Sequence, residues 1–299
     1  MTADGHGAPA GVGGSAAGAG RAGAPIRLVC LDVDGTLVGH SGDVAPAVWE
    51  AAARARAAGI RLAVCSGRPG FGVTRALAAR IEPDGWHCFQ NGASVLHLGS
   101  ARSRSSVLPD EAVALLVERA RRTGRALELY ADGHYVTESE LPLARRHAEL
   151  LGLEFAPRPF ASLGAPVVRA QWLLADAEVE AALAEPHPGL EVSPSIAPTV
   201  PGAVFVNLTR AGVDKGSAVR AIAEAYGVGL DAVMYVGDGY NDTPALRLVG
   251  WPVVMANAEA VARPFARTVV GHVDAAGAAE ALALAVDSHR PRASGPAAA

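Results

Sequence analysis

Asp32 and Asp34 close an apolar run, Leu28 to Leu31, and are followed at once by Gly35 and Thr36. Other polar groups recur where apolar runs end or helices begin: Ser66, Lys215, and Asp238 with Asp242 in the turn GDGYND. Singly, each is an ordinary turn or loop residue. Together, carboxylates, a hydroxyl and an amine at one sheet edge make a site for anions and cations. Three carboxylates at one edge repel by about 4 kcal/mol per pair at 4 Å in an effective dielectric of 20. Either one is protonated or a cation sits among them. Oxygen ligands without clustered histidine or cysteine favour Mg²⁺ over Zn²⁺.

Of the 26 lysines and arginines, only Lys215 is a lysine. A compact ammonium is needed where a carboxylate and a phosphoryl oxygen share one point charge and a planar fork does not fit. At a helix start it opposes the macrodipole, so it serves something other than the helix. The set suits phosphoryl chemistry. Asp32, ionised at neutral pH, would attack phosphorus and form an aspartyl-phosphate. Mg²⁺ and Lys215 would neutralise the oxygens, and Ser66 with the backbone amides of Val33 to Gly35 would hold the phosphoryl group. Asp34 would protonate the leaving alcohol and then activate water.

The elements that must position these residues follow an alternating pattern. The first apolar run predicts a buried strand, Pro46 to Ala58 a helix stopped by Gly59, and IRLAVCSGRP a second strand and turn. A helix is expected from Phe71 to Ala79, then a hairpin around Asn91-Gly92. Downstream come a helix from Lys215 to Tyr226, the strand AVMYV, the GDGYND turn, a helix from about Thr243, the strand WPVVM and a helix from Gly277 to Val286. Strands alternating with helices imply an α/β fold with a parallel sheet covered on both faces. Between Arg104 and Leu208 the helices Asp110 to Thr123, Pro142 to Leu151 and Asp176 to Glu185 alternate with strands such as ALELY, VVRAQWLL and AVFVNL. No phosphate-type turn occurs there, which implies a second α+β unit inserted into the first.

Composition narrows the partners. Half of the 299 residues are hydrophobic, and the net charge of -4 with a pI near 6.1 gives no basic footprint for nucleic acid or an anionic membrane. Cys30, Cys65 and Cys88 are widely spaced, as expected of buried thiols in a reducing compartment. Residues 1–24 are rich in Gly and Ala and lack a secretory h-region, so a disordered tail is expected there and a second from Ser288 to the end.

DVDGTL from Asp32, SGRP at Ser66 to Pro69, DKG at Asp214 to Gly216 and GDGYND at Gly237 to Asp242 resemble the four ordered motifs of the haloacid dehalogenase superfamily. With NGA from Asn91 and a large insert between the second and third motifs, the set is similar to the Cof-type sugar-phosphatase branch. The resemblance implies a Rossmann-like core at 25–104 and 209–287, with the insert at 105–208 as a mobile α+β cap. It implies Asp32 as nucleophile, Asp34 as acid/base, and Ser66 and Lys215 on the phosphoryl group. It also implies Mg²⁺ on Asp32, the Asp34 carbonyl and Asp238, supported by Asn241 and Asp242, with Asn241 also placed among the phosphate-binding residues. Val33 and Thr243-Pro244 depart from the usual pattern. Arg169, Gln171, His134 and Tyr135 are candidates to select the ester, though each reads most simply as an exposed strand residue.

The expectation is a cytoplasmic, Mg²⁺-dependent hydrolase of small phosphorylated metabolites, sugar phosphates foremost, without nucleic-acid or membrane partners. Oligomeric state is not legible. A phosphoryl-transferring sugar phosphomutase and a non-catalytic phosphometabolite-binding protein stand as alternatives.

Overall fold

A computed structural model describes residues 24–100, 102–196 and 200–289. The fully buried run β1 (Leu28–Leu31) leads through α1 (Pro46–Ala57) to β2 (Arg61–Val64). Proline in the first turn starts α1, where a missing N–H costs nothing, and Gly59 leaves it at a φ of +80°. Then follow α2 (Val73–Ile81) and the antiparallel strands β3 (Trp86–Phe89), β4 (Ser94–His97) and β5 (Arg102–Ser103).

The inserted part comprises α3 (Asp110–Thr123), β6 (Ala126–Tyr130), β7 (Tyr135–Thr137), α4 (Pro142–Leu150), β8 (Arg169–Ala175), α5 (Asp176–Ala184), β9 (Leu190–Ile196) and β10 (Ala203–Arg210). The chain then returns through α6 (Lys215–Tyr226), β11 (Val233–Gly237), α7 (Thr243–Leu248), β12 (Trp251–Met255), β13 (Thr268–Val270) and α8 (Gly277–Asp287).

Two five-stranded sheets result. The first is wholly parallel, in the order β13-β12-β11-β1-β2, and the second is antiparallel, in the order β7-β6-β8-β10-β9. Alternate residues of the parallel strands enter opposite cores. Val29, Leu31, Leu62 and Val236 pack with α1 and α8, whereas Leu28, Cys30, Ala63 and Tyr235 pack with α6 and α7. Both faces are covered, so the strands read as unbroken apolar runs. The architecture is a Rossmann-like α/β core with an inserted α+β cap.

Several expectations shift. The α2 helix starts at Val73, after Gly72 at a φ of +62°. The Asn91-Gly92 turn is wider than a two-residue hairpin, because Phe89 and Ser94 close the ladder and Gln90, Asn91 and Gly92 all have positive φ. Strands β9 and β13 were not expected: LEVSPSI of β9 alternates, but Pro194 argues against a strand and is tolerated because β9 is an edge, while β13 has only three residues. Strand β10 runs past the expected boundary at 208 to Arg210.

At the ends, residues 1–23 and 290–299 of the expected tails lie outside the described residues. The rest is anchored. Trp251 Nε1 donates to the Ala24 carbonyl, Ser288 Oγ accepts from Ile26 N at 2.9 Å, and His289 Nε2 meets Ile26 O at 2.6 Å. The three cysteines are buried and unpaired by disulfides. No helix among the described residues is long and apolar enough to cross a membrane.

Candidate active site

The carboxyl ends of adjacent parallel strands converge because the sheet is in register: Leu31 pairs with Val236 of β11 and with Val64 of β2. The next residues are therefore neighbours in space. Asp32 follows β1, Asp238 follows β11, and Ser66 follows β2. This is the edge at which open parallel sheets bind ligands.

Lys215 enters from α6 and is fully buried. The helix starts with a capping box in which Asp214 Oδ1 accepts from Ser217 N at 2.7 Å and Ser217 Oγ accepts from Asp214 N at 3.0 Å. With the helix end already satisfied, Lys215 Nζ reaches Asp32 Oδ1 at 2.5 Å and Asp242 Oδ1 at 2.7 Å. Asp242 takes two further roles: Oδ1 accepts from the Tyr235 hydroxyl at 2.6 Å, and Oδ2 from the backbone N–H groups of Asp238 and Gly239, both at 2.9 Å. It pins the GDGYND turn and fixes the ammonium.

Gly216 of the same motif lets α7 approach, since a Cβ there would stand 2.9 Å from the Pro244 carbonyl carbon. Pro244 lies in the first turn of α7, where its missing N–H is harmless, so this departure from the usual pattern leaves the helix start intact.

One oxygen from each of Asp32, Asp238 and Asp242 lies within 4.8 Å of the others. Burial first, then the Asp242 carboxylate, pushes Asp32 well above its ordinary pKa; Lys215 pulls it down and Asp238 raises it further. Burial and Asp242 raise Asp238 to about 7, with Lys215 opposing. For Lys215 burial disfavours the ammonium, but Asp242 and Asp32 outweigh it and raise its pKa. The site has more negative charge than one ammonium balances, and its donors are oxygen only. That chemistry fits a hard divalent cation held by Asp32 and Asp238. Gly35, at a φ of +79°, leaves room for the Asp238 carboxylate, with which a Cβ there would collide.

Asp34 stands apart from this cluster. Its side chain is 56% exposed and is gripped by Arg68, whose Nη2 and Nε reach Oδ1 at 2.5 Å and Oδ2 at 3.0 Å. Ser66 is buried, and its Oγ accepts from Arg68 N at 3.0 Å, which ties the turn after β2 to the same fork. Asn241 donates to Asn91 Oδ1 at 3.0 Å, linking the GDGYND turn to the loop between β3 and β4.

The residue-level reading missed Arg68, Asn91, Asn257 and Thr36, whose Oγ1 donates to Asp238 Oδ1 at 3.4 Å. Arg68 and Asn91 sit inside SGRP and NGA, so their signal was present but unassigned. Asn257 donates to the Gly35 carbonyl at 2.7 Å and to Asp238 Oδ2 at 3.4 Å, and no local pattern marks it. Of the four cap candidates, Arg169, Gln171 and Tyr135 are buried, correcting the expectation of exposed strand residues. Arg169 meets Asn207 of β10 and Gln171 meets His147 of α4, whereas Tyr135 stacks on Tyr130 and Phe71, none of which the strand pattern alone reveals. His134 is half-buried and holds the Leu163 carbonyl at 2.7 Å.

A capped parallel-sheet core with carboxylates and one buried lysine at its carboxyl edge defines a hydrolase with an aspartate-centred site. The sequence matches the family of haloacid dehalogenase-like hydrolases over residues 29–282, and the chain belongs to that family. It is similar to the 5-amino-6-(5-phospho-D-ribitylamino)uracil phosphatase YwtE of Bacillus subtilis, with 23% identity covering 78% of this chain and 88% of that protein. Among solved structures, a haloacid dehalogenase-like hydrolase from Bacteroides thetaiotaomicron superposes with a TM-score of 0.76 at 27% identity, covering 87% of this chain and 99% of the other. The subclass IIB sugar phosphatase BT4131 shares the fold, with a TM-score of 0.72 at 21% identity, covering 86% and 98%.

Proposed function

We propose that the chain is a Mg²⁺-dependent phosphatase that hydrolyses small phosphate monoesters, sugar phosphates foremost, through an aspartyl-phosphate on Asp32. The observation that carries this is the buried Lys215 ammonium on Asp32 Oδ1, which fixes one carboxylate oxygen and aims the other. In this reading residues 105–208 form the cap, and residues 25–104 with 209–287 form the catalytic core. The phosphatase name of YwtE supports the reaction class, and the sugar-phosphatase name of BT4131 suggests the substrate class. We place the protein in the cytoplasm, consistent with three free buried thiols.

Asp32 Oδ2 attacks phosphorus as the ester P–O bond breaks, and the proton of Asp34 goes to the departing alkoxide. Asp34, now a carboxylate, takes a proton from water; the water oxygen bonds to phosphorus, the acyl-phosphate bond between phosphorus and Asp32 Oδ2 breaks to return the Asp32 carboxylate, and orthophosphate leaves. Ser66, Asn241 and the amides from Val33 to Gly35 hold the phosphoryl oxygens beside Lys215. Since Arg68 engages both Asp34 oxygens, one of those bonds must yield to the leaving group. Mg²⁺, held by Asp32, Asp238 and the Asp34 carbonyl, would supply charge neutralisation at the phosphoryl oxygens.

The direct test is hydrolysis of p-nitrophenyl phosphate with Mg²⁺. Free orthophosphate should appear, should stop on chelation and should return with excess Mg²⁺. Transfer to a sugar acceptor without free phosphate would indicate a mutase instead; binding without turnover over hours would indicate a sensor.

A second expectation concerns pH. In the metal-free protein the Asp238 carboxyl is raised to about 7 by burial and Asp242. A carboxyl raised on folding stabilises at low pH, and this contribution is lost as pH rises through about 7. Mg²⁺ needs the ionised form, so protons compete with it below that value. Mg²⁺ should therefore raise the melting temperature more at pH 8 than at pH 6. An equal or larger shift at pH 6 would contradict the assignment of Asp238 as a ligand.

A further inference from the structure

Arg169, on β8, is only 3% exposed. The described residues give it no ion pair of the kind that holds Arg68, Arg119, Arg121 and Arg125. Its Nη1 donates to Asn207 Oδ1 on β10 at 3.0 Å and across to the Gly67 carbonyl at 3.2 Å, while its Nε is buried without a hydrogen-bond partner. The guanidinium carbon lies 4.0 Å from the centroid of the Tyr130 ring.

That ring is itself fixed. The Tyr130 hydroxyl donates to Glu128 Oε2 at 2.5 Å, and His147 Nδ1 lies 2.9 Å from the same oxygen. The Glu128 carboxylate is thus engaged by Tyr130 and His147. A guanidinium withdrawn from water normally meets a carboxylate or phosphate that takes two of its N–H groups. Here both acceptors are neutral amide oxygens. Burial lowers the Arg169 pKa, partly offset by Tyr130 and Glu128. The position adds meaning: Gly67 lies between Ser66, assigned to the phosphoryl group, and Arg68, which grips the acid/base Asp34.

We infer that Arg169, oriented by Tyr130 and Asn207, recognises a second anionic group on the alcohol portion of the substrate. The site would then favour monoesters whose alcohol bears a carboxylate or another phosphate over those with a neutral alcohol. This rests on the phosphatase reading and narrows its substrate class.

The test compares phosphoglycolate, fructose 1,6-bisphosphate and p-nitrophenyl phosphate as substrates of the wild type, Arg169→Gln and Arg169→Lys, all with Mg²⁺. The kcat/KM ratio of at least one charged ester to p-nitrophenyl phosphate should fall by about tenfold or more in Arg169→Gln, mainly through KM, with partial recovery in Arg169→Lys. Whether phosphoglycolate or the bisphosphate shows the larger fall identifies carboxylate or phosphate as the group. Equal losses on all three esters would reduce Arg169 to a structural residue and overturn the inference, as would an unchanged ratio.

Calorimetric binding of the same three compounds to Asp32→Asn protein, with and without Arg169→Gln, separates the two readings. If no ester is hydrolysed but charged ligands bind at least about tenfold more weakly without Arg169, only the phosphatase reading fails. If binding ignores Arg169, this inference fails whatever the turnover.

Discussion

Replacing Asp32 with asparagine is expected to reduce phosphatase turnover by about 10⁴ or more while the protein stays folded. The amide keeps the shape and can still accept from Lys215, but it cannot form the acyl phosphate bond. Stability should hold or rise. In the wild type, burial and the neighbouring Asp242 and Asp238 carboxylates disfavour ionised Asp32, and the substitution removes that repulsion. Steady-state assay with Mg²⁺, paired with a melting curve, checks both parts. Turnover above about 1% of wild type in a folded Asp32→Asn protein would remove Asp32 as nucleophile. Acid-quenched wild type should carry a phosphoryl label that the variant lacks.

Lys215→Met should cost about 3–5 kcal/mol of stability, the cost of breaking a buried ion pair by removing one partner. Without the ammonium, Asp32 and Asp242 face each other with no cation between them in the metal-free protein. Proton uptake is their relief, so the deficit should be largest at high pH and should shrink as pH falls. Lys215→Arg separates charge from shape. It preserves the positive charge, yet the site is fully buried and sized for one point donor shared by two carboxylates. The larger fork should shift those carboxylates, with a loss of about 1–3 kcal/mol and most of the activity. Urea unfolding of both variants at pH 6 and pH 8, without metal, reads these effects. A loss below about 1 kcal/mol for Lys215→Met at pH 8 would contradict the account.

Much of the fold was legible because local signals agreed with tertiary packing. The apolar runs at Leu28, Leu62 and Val233 are buried on both faces, the setting in which an unbroken run marks a parallel strand. Helix α1 announced itself through Pro46 and Gly59. Strands β9 and β13 were not legible: Pro194 interrupts the alternating first one and is tolerated only at an edge, and the second has just three residues.

At the site, the sequence by itself determined which groups can react: the two aspartates after β1, the lone lysine among arginines, and the carboxylates of GDGYND. Their chemistry depends on residue type, and their convergence on strand ends that any parallel register brings together. Only the tertiary structure decided how those groups are shared. It tied Asp242 to Lys215, Tyr235 and two amides, gave Asp34 to Arg68, and hid Arg169 between the sheets without an anion. Apart from the bonds of Asp242 to the two amides of its own turn, those pairings join residues remote in sequence or on different elements. Their energies come from burial and distance, which no local pattern of residue types encodes.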